Sequence, residues 1–217
     1  MQTRRGIIAG GASLFAAGCA SAPPAAAAPR AVERFAAIEA RLGGRIGVCA
    51  IDTGSDAEIG HRMQERFAMA STFKWLLAAG VLKRCEQGLN LDATMYYTVS
   101  DIVPTSPVTE ASINVANNMG ALSFEQLCEA IVTVSDNTAA NLLLVPMFGP
   151  EGLTSFLRES GDAHTRLDRR EPELNENRNG DARDTTIPHA MARTLRRILT
   201  TDEVLNAESR ARLIGWM

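Results

Sequence analysis

The sequence predicts a domain in which about seven helices accompany one antiparallel hairpin. Three observations support this: apolar residues recur at helical spacing in several segments, one stretch alternates around a turn, and the composition is globular. Hydrophobic residues make up 46% of the 217 residues and charged residues 22%, so disorder and fibrous folds are poor interpretations. Because a two-stranded sheet is marginal by itself, the chain is either mostly helical or lacks strands of a larger sheet.

The first two elements follow from simple periodicity. Apolar residues from Val32 to Leu42 recur at helical spacing, and Gly43 ends that helix. Residues 45–52 then alternate between apolar and polar side chains. The turn residues of 53–56 lead back into 58–62, which predicts the hairpin.

The later helices are marked by their start and stop signals. The second is predicted from Ser71 to Gly88, and a capping box of Ser123 and Gln126 opens the third. Four more are predicted over residues 137–144, over 150–161, from 188, and from about 206 to the end. The intervening segments 89–120 and 166–184 are predicted to be irregular; a loop as long as the second is usually functional or disordered.

The first 29 residues are typical of an export signal and a tether. Basic residues precede the uncharged run 7–20, which is too short to span a bilayer as a helix. The pair Arg4-Arg5 indicates twin-arginine export. Cys19 either carries a lipid or is removed with the leader. We expect a signal peptide and Ala/Pro-rich tether over 1–29, a folded domain over 30–217, and a secreted or periplasmic location.

Charge and spacing argue against several functions. A net charge of −3 means that the chain has no excess of basic residues of the kind that binds nucleic acid. The histidines and the cysteines Cys49, Cys85 and Cys128 show no metal-ligand spacing, so no metal or cofactor is expected. At least one of these three cysteines must be unpaired within the chain. A Ser-His-Asp triad has no G-x-S-x-G motif to support it.

Ser71 and Lys74 form an S-x-x-K motif at a predicted helix start. Residues three apart lie on one helix face, so the amine could take the serine proton and produce a nucleophile. Backbone N–H groups at the helix start could stabilise a developing oxyanion. The alternative is an ordinary N-cap serine with a solvated lysine, and the motif alone does not decide between them.

The triplet Ser135-Asp136-Asn137 lies between two predicted helices. A serine hydroxyl there could relay a proton, and an asparagine amide could bind a substrate amide. Such triplets are also common helix caps.

The loop over residues 166–184 carries a candidate general base. Glu171 could activate a water that Asn175 helps to hold, or both could be solvated side chains of a mobile loop. Arg169 or Arg183 could pair with Asp184 and close the neck of the loop, which is the place where its two ends come together.

Together these three clusters resemble the class A serine β-lactamases, whose signature comprises S-x-x-K, S-D-N and K-T-G. The resemblance covers residues 30–217 in order. It implies an α/β fold of the β-lactamase/transpeptidase type, in which a helical subdomain joins an antiparallel sheet with flanking helices. It also implies hydrolysis of penicillins or cephalosporins, and hence antibiotic resistance, by a monomer without metal, cofactor or stable protein partner.

The resemblance assigns three residues to acylation. Ser71 would attack the ring carbonyl to form an acyl-enzyme, and Lys74 would help to deprotonate it. Ser135 would pass a proton to the leaving nitrogen.

Three more residues are assigned to binding and deacylation. Asn137 would hold the substrate's side-chain amide, and Glu171 with Asn175 would activate the deacylating water. A penicillin-binding D,D-peptidase or a non-catalytic β-lactam sensor remains an alternative. Glu171 argues against the peptidase, which lacks a dedicated deacylating base.

The chain departs from the family pattern at four points. No K-T-G occurs, and the chain stops at Met217 inside a predicted helix. We therefore expect an incomplete sheet, and no activity from residues 1–217 alone. Thr105 and Arg170 stand where members of the family often carry aromatic residues. The stretch 111–120 looks about five residues longer than usual.

Overall fold

The computed structural model describes residues 27–217, and the predicted leader over 1–26 lies outside the described part. The described helices are α1 (Ala27–Leu42), α2 (Phe73–Glu86), α3 (Pro107–Ala111), α4 (Phe124–Thr133), α5 (Asn137–Leu143), α6 (Gly149–Glu159), α7 (Pro188–Thr200) and α8 (Ala207–Trp216). The described strands are β1 (Val48–Ile51), β2 (Glu58–His61), β3 (Phe67–Ala68), β4 (Thr94–Thr98), β5 (Met119–Ser123) and β6 (Thr185–Thr186). No helix in this part is long and apolar enough to cross a membrane.

The predicted hairpin and all seven predicted helices are confirmed, with shifted ends. β1 pairs antiparallel with β2, so that Val48 lies opposite His61 and Ile51 opposite Glu58. Helix α1 begins at Ala27, and it therefore includes the last residues of the predicted tether. In the described residues the strands form three two-stranded antiparallel sheets, β1–β2, β3–β6 and β4–β5.

The prediction that residues 89–120 are irregular is wrong. They contain β4, α3 and the start of β5, and the two strands pair over five residues. Tyr97 is buried, whereas its neighbours Tyr96 and Thr98 are exposed and half-buried, as expected when side chains alternate between the two faces of a strand. The many polar residues of this segment hid that alternation in the sequence. Gly120 lies opposite Tyr97, and a Cβ there would come within 2.3 Å of the Tyr97 ring. The strand pairing therefore requires glycine at that position.

Helix α2 runs through the centre of the domain. Its middle section is buried all round, including Leu76, Leu77 and Val81, and it is packed by α4, α5, α6 and α8. A helix that is apolar on every face is typical of a buried core position. Because the surrounding helices hold α2 on several sides, the side chains of its first turn have fixed positions.

A buried carboxylate ties α7 to the turn that follows α6. Asp162 Oδ1 accepts hydrogen bonds from the backbone N–H groups of His164 and Thr165, both at 2.9 Å. Asp162 Oδ2 accepts from the Thr165 and Thr194 hydroxyls at 2.5 and 2.9 Å. Burial raises the pKa of Asp162, but these hydrogen bonds outweigh it and hold the pKa below the ordinary value of 3.8. The carboxylate is therefore charged in the folded protein at neutral pH.

The Asp162→Ala substitution is expected to lower the free energy of unfolding by about 2–4 kcal/mol, since several buried donors lose their acceptor. Because the folded pKa is lowered, this stabilisation is present above the unfolded pKa of about 3.9 and is lost as pH falls through the folded pKa. Urea unfolding at neutral and acid pH measures it. The control Glu208→Ala, on an exposed side chain of α8, should change little. Equal losses for both variants at neutral pH would contradict the assignment.

Candidate active site

Ser71 lies in a short 3-10 turn that leads directly into α2. The turn spans Ala70–Thr72, and Ala70 adopts a left-handed backbone with φ of 43°. Just before it, the Met69 N–H donates to the Asp184 carbonyl at 2.9 Å. Ser71 is exposed, whereas Phe73 is buried. The predicted position of Ser71 at a helix start is therefore confirmed, with its side chain at the surface of the domain.

Lys74 lies in the first turn of α2, and its side chain is only 2% exposed. Its Nζ donates hydrogen bonds to the Ser135 carbonyl (2.6 Å), to Ser135 Oγ (3.0 Å) and to Asn137 Oδ1 (2.5 Å). The same Nζ lies 3.3 Å from Glu171 Oε1. These contacts, rather than one to the Ser71 hydroxyl, orient the amine. Three residues from two other motifs thus surround the Lys74 ammonium group.

The environment of Lys74 changes its protonation. Burial lowers the pKa of Lys74 below its ordinary value of 10.5, and the Glu171 carboxylate partly opposes this by favouring the charged form. The buried amine therefore gives up its proton more readily than a surface lysine does. Such a group can exchange protons with the hydroxyl of Ser135, which it already contacts.

Glu171 is completely buried, and its two carboxylate oxygens have different surroundings. Oε2 accepts a hydrogen bond of 2.6 Å from Asn175 Nδ2. Oε1 makes no hydrogen bond within residues 27–217 and faces the Lys74 ammonium. The predicted association of Glu171 with Asn175 is seen in the structure, and Oε1 lies in the buried space beside Lys74.

Asn141 also holds Glu171, although sequence reasoning did not single it out. Its Nδ2 donates to the Glu171 carbonyl at 2.8 Å, and its Oδ1 accepts from the Glu171 N–H at 3.0 Å. This two-point contact fixes the backbone of the loop against α5. The available signal was its spacing, since Asn141 lies four residues after Asn137 on the same helix face.

Of the two roles that the sequence left open for the triplet 135–137, the structure shows the helix cap. Asp136 is buried and caps α5 by accepting from the Ala139 N–H at 2.8 Å. The same carboxylate accepts from the Thr109 N–H and hydroxyl, which joins α3 to this turn. Ser135 has a left-handed backbone with φ of 60°. The cap thus directs Ser135 and Asn137 toward Lys74.

The neck of the loop over 166–184 is closed by charged residues. Arg169 Nε donates to Asp184 Oδ2 at 2.6 Å, and Asp184 Oδ1 accepts from the N–H groups of Asp168 and Arg169. Of the two arginines predicted to pair with Asp184, Arg169 therefore does so. Arg183 instead pairs with Asp181, with 2.7 Å between Nη2 and Oδ2. The closed neck and Asn141 together hold the segment that carries Glu171.

Comparison with known proteins decides the family. A sequence profile of the β-lactamase enzyme family matches residues 30–217. The chain belongs to the β-lactamase family. Its structure is similar to that of a β-lactamase from Desulfarculus baarsii DSM 2075, at 46% identity and a TM-score of 0.82 over 87% of this chain and 68% of that chain.

This β-lactamase is also similar to the class A β-lactamase of the last common ancestor of Gram-negative bacteria. The identity is 51% and the TM-score 0.81, over 85% of this chain and 69% of that chain. A variant of that ancestor, also 51% identical over 85% of this chain and 68% of that chain, with a TM-score of 0.81, is described as bound to the transition-state analogue 5(6)-nitrobenzotriazole.

These similarities confirm the class A resemblance and the α/β fold that it implied. The protein is a serine β-lactamase, a hydrolase that opens the β-lactam amide. None of these matches favours the D,D-peptidase or the non-catalytic sensor.

Two departures from the family pattern lie at the edge of the site of this β-lactamase. Thr105 has a left-handed backbone with φ of 66°, and its carbonyl accepts from the Asn137 N–H at 3.0 Å. Arg170 is exposed, and its Nη1 donates to the Asn141 carbonyl at 3.2 Å. Both residues therefore contact α5 through the backbone of site residues.

The three cysteines of the described chain are all free thiols. Cys128 is buried in the core, whereas Cys49 and Cys85 are half-buried. The prediction that at least one is unpaired is confirmed, and the domain is held together by packing and polar contacts.

Proposed function

We propose that this β-lactamase works through an acyl-enzyme on Ser71 that Glu171 and a water molecule then hydrolyse. One observation carries the proposal. The buried Lys74 ammonium, three residues after Ser71, lies within hydrogen-bond distance of Ser135 Oγ and Asn137 Oδ1 and 3.3 Å from the Glu171 carboxylate.

In the acylation step, Ser71 Oγ forms a bond to the ring carbonyl carbon, and the ring C–N bond breaks. Either the neutral amine of Lys74, formed when its ammonium gives up a proton, or a water activated by Glu171 takes the serine proton. The 3.0 Å contact between Lys74 Nζ and Ser135 Oγ offers a path for a proton to the leaving nitrogen. The Ser71 N–H, at the positive end of α2, stabilises the oxyanion as one of its two donors.

In the deacylation step, Glu171 takes a proton from a water whose oxygen attacks the ester carbonyl. The ester C–O bond then breaks and Ser71 recovers its proton. Asn175 holds Glu171 Oε2, which leaves Oε1 to receive the proton. Asn137, anchored through Nδ2 to the Pro104 carbonyl at 2.8 Å, binds the substrate's side-chain amide next to this water.

The full gene product is expected to hydrolyse benzylpenicillin over many turnovers, because a buried general base drives deacylation. A penicillin-binding peptidase would instead be acylated once and remain blocked. Ring opening followed by absorbance, with penicillin in large excess over enzyme, distinguishes the two, and Ser71→Ala serves as the blank. Arrest after one equivalent of product would contradict the role of Glu171 and favour the peptidase.

We also propose that the enzyme is exported from the cytoplasm and acts in the periplasm, or outside the cell, as a monomer on small-molecule β-lactams. The support is the order of basic, apolar and small residues over 1–20. Mass spectrometry of the periplasmic fraction should find a mature chain that begins near residue 30, or a lipid on Cys19. An intact Met1 in the cytoplasmic fraction would contradict export.

A further inference from the structure

A cleft lies between the C-terminal half of α2 and helix α6. Its volume is about 420 Å³, within the range of roughly 300–1,000 Å³ that is usual for small-molecule sites. Gly80, Met147 and Phe156 form its apolar floor. Arg84, on its wall, is ten residues along α2 from Lys74, a distance of about 15 Å along the helix. The cleft is therefore separate from the active site.

The two walls of the cleft carry opposite charges. Lys83 and Arg84 line it from α2, whereas Glu151 and Glu159 line it from α6. Lys83 pairs with Glu86 of its own helix at 3.0 Å. Among residues 27–217, Arg84, Glu151 and Glu159 form no ion pair. The cleft thus offers a free guanidinium and two free carboxylates to a ligand.

An aromatic ring stands at the rim of the cleft. Phe148 is 76% exposed and has a left-handed backbone with φ of 60°, which costs a non-glycine residue on the order of 1 kcal/mol. The Arg84 guanidinium lies 5.1 Å from the centre of this ring. Core packing does not explain an exposed aromatic side chain on a strained backbone. A ligand that stacks on the ring would bury it beside the free charge of Arg84.

We propose that this cleft binds a small zwitterion that carries an aromatic or bulky apolar group, as amino acids do. The ligand's carboxylate pairs with Arg84, its ammonium pairs with Glu151, three residues after Phe148, and its apolar group covers Phe148. An anion alone would meet two uncompensated carboxylates, and a cation alone would meet two basic side chains. Only a ligand with both charges complements both walls, and this binding does not depend on the hydrolytic mechanism.

Four probes test the proposal. The first has the carboxylate, the ammonium and the ring, and each of the other three lacks one of these features. Phenylalanine carries all three features; phenylalaninamide lacks the carboxylate, 3-phenylpropanoate lacks the ammonium, and glycine lacks the ring. Calorimetry or NMR titration of the full gene product should show phenylalanine binding at least tenfold more tightly than any of the others. No phenylalanine binding, or equal affinity for 3-phenylpropanoate, would overturn the proposal.

Substitutions locate the site. Arg84→Gln and Glu151→Gln should each weaken phenylalanine binding about tenfold or more. The matched controls Arg34→Gln and Glu208→Gln, which remove the same charges from exposed positions, should leave it unchanged. All four variants should hydrolyse penicillin normally, which separates this proposal from the catalytic one. Equal affinities in all four variants would contradict it, as would phenylalanine binding that disappears once the active site is acylated.

Discussion

Replacement of Glu171 by glutamine is expected to convert the β-lactamase into a protein that reacts with penicillin once and then stops. Ser71 and Lys74 remain in place, so the acyl-enzyme still forms with Lys74 as the base that takes the serine proton. The glutamine amide cannot accept the proton of the deacylating water, and it is nearly isosteric with the carboxylate. Since general bases contribute on the order of 10²–10⁴-fold to such steps, kcat should fall by about that factor.

Rapid-quench kinetics measures this effect as a burst of one equivalent of product followed by a very slow rate. The matched control is Glu173→Gln, which removes an exposed carboxylate two residues away on the same loop. The control should retain normal turnover. A Glu171→Gln enzyme with unchanged kcat would show that another group activates the water.

The Lys74→Met substitution is expected to impair both stability and activity. It leaves the buried Glu171 carboxylate without its 3.3 Å counter-charge. Removing one partner of a buried ion pair typically costs about 3–5 kcal/mol of unfolding free energy. It also removes the amine that contacts Ser135 Oγ, so acylation should slow by on the order of 10²–10⁴-fold.

The double variant Lys74→Met/Glu171→Gln separates these two effects. Neutralising the carboxylate should restore most of the lost stability in urea unfolding, but it cannot restore acylation. Lys83→Met, on a partly exposed ion pair of the same helix, is the matched control and should cost much less stability than Lys74→Met. If the double variant were as unstable as Lys74→Met, the charge on Glu171 would not be the source of the loss.

Much of the site could be predicted because its chemistry lies in short local motifs. Ser71 and Lys74 are three residues apart, and Glu171 and Asn175 are four apart, so each pair is placed by one helical or loop turn. The contact of Lys74 with Ser135 joins residues 61 positions apart and depends on how α2 packs against the turn before α5. Spacing alone could not predict that the Lys74 amine would turn toward Ser135.

The missed features depend on tertiary contacts. Asn141 matters through the Glu171 backbone, 30 residues away, and alanine at position 70 gives no local sign of a left-handed backbone. The pairing of β4 with β5 was missed because glycine in a strand weakens the strand signal in the sequence. Gly120 is needed there for a tertiary reason, since a Cβ would collide with the Tyr97 ring. Start and stop signals did place the helices, since helix ends are set by local capping.

The most direct test of the mechanism is to locate the trapped acyl group. The Glu171→Gln full gene product is incubated with benzylpenicillin, quenched in acid and digested, and the modified peptide is sequenced by mass spectrometry. The account predicts one added penicillin mass per protein, attached to Ser71 and absent from the Ser71→Ala/Glu171→Gln variant. An adduct on Ser135 or another side chain, or no adduct while hydrolysis continues, would contradict it.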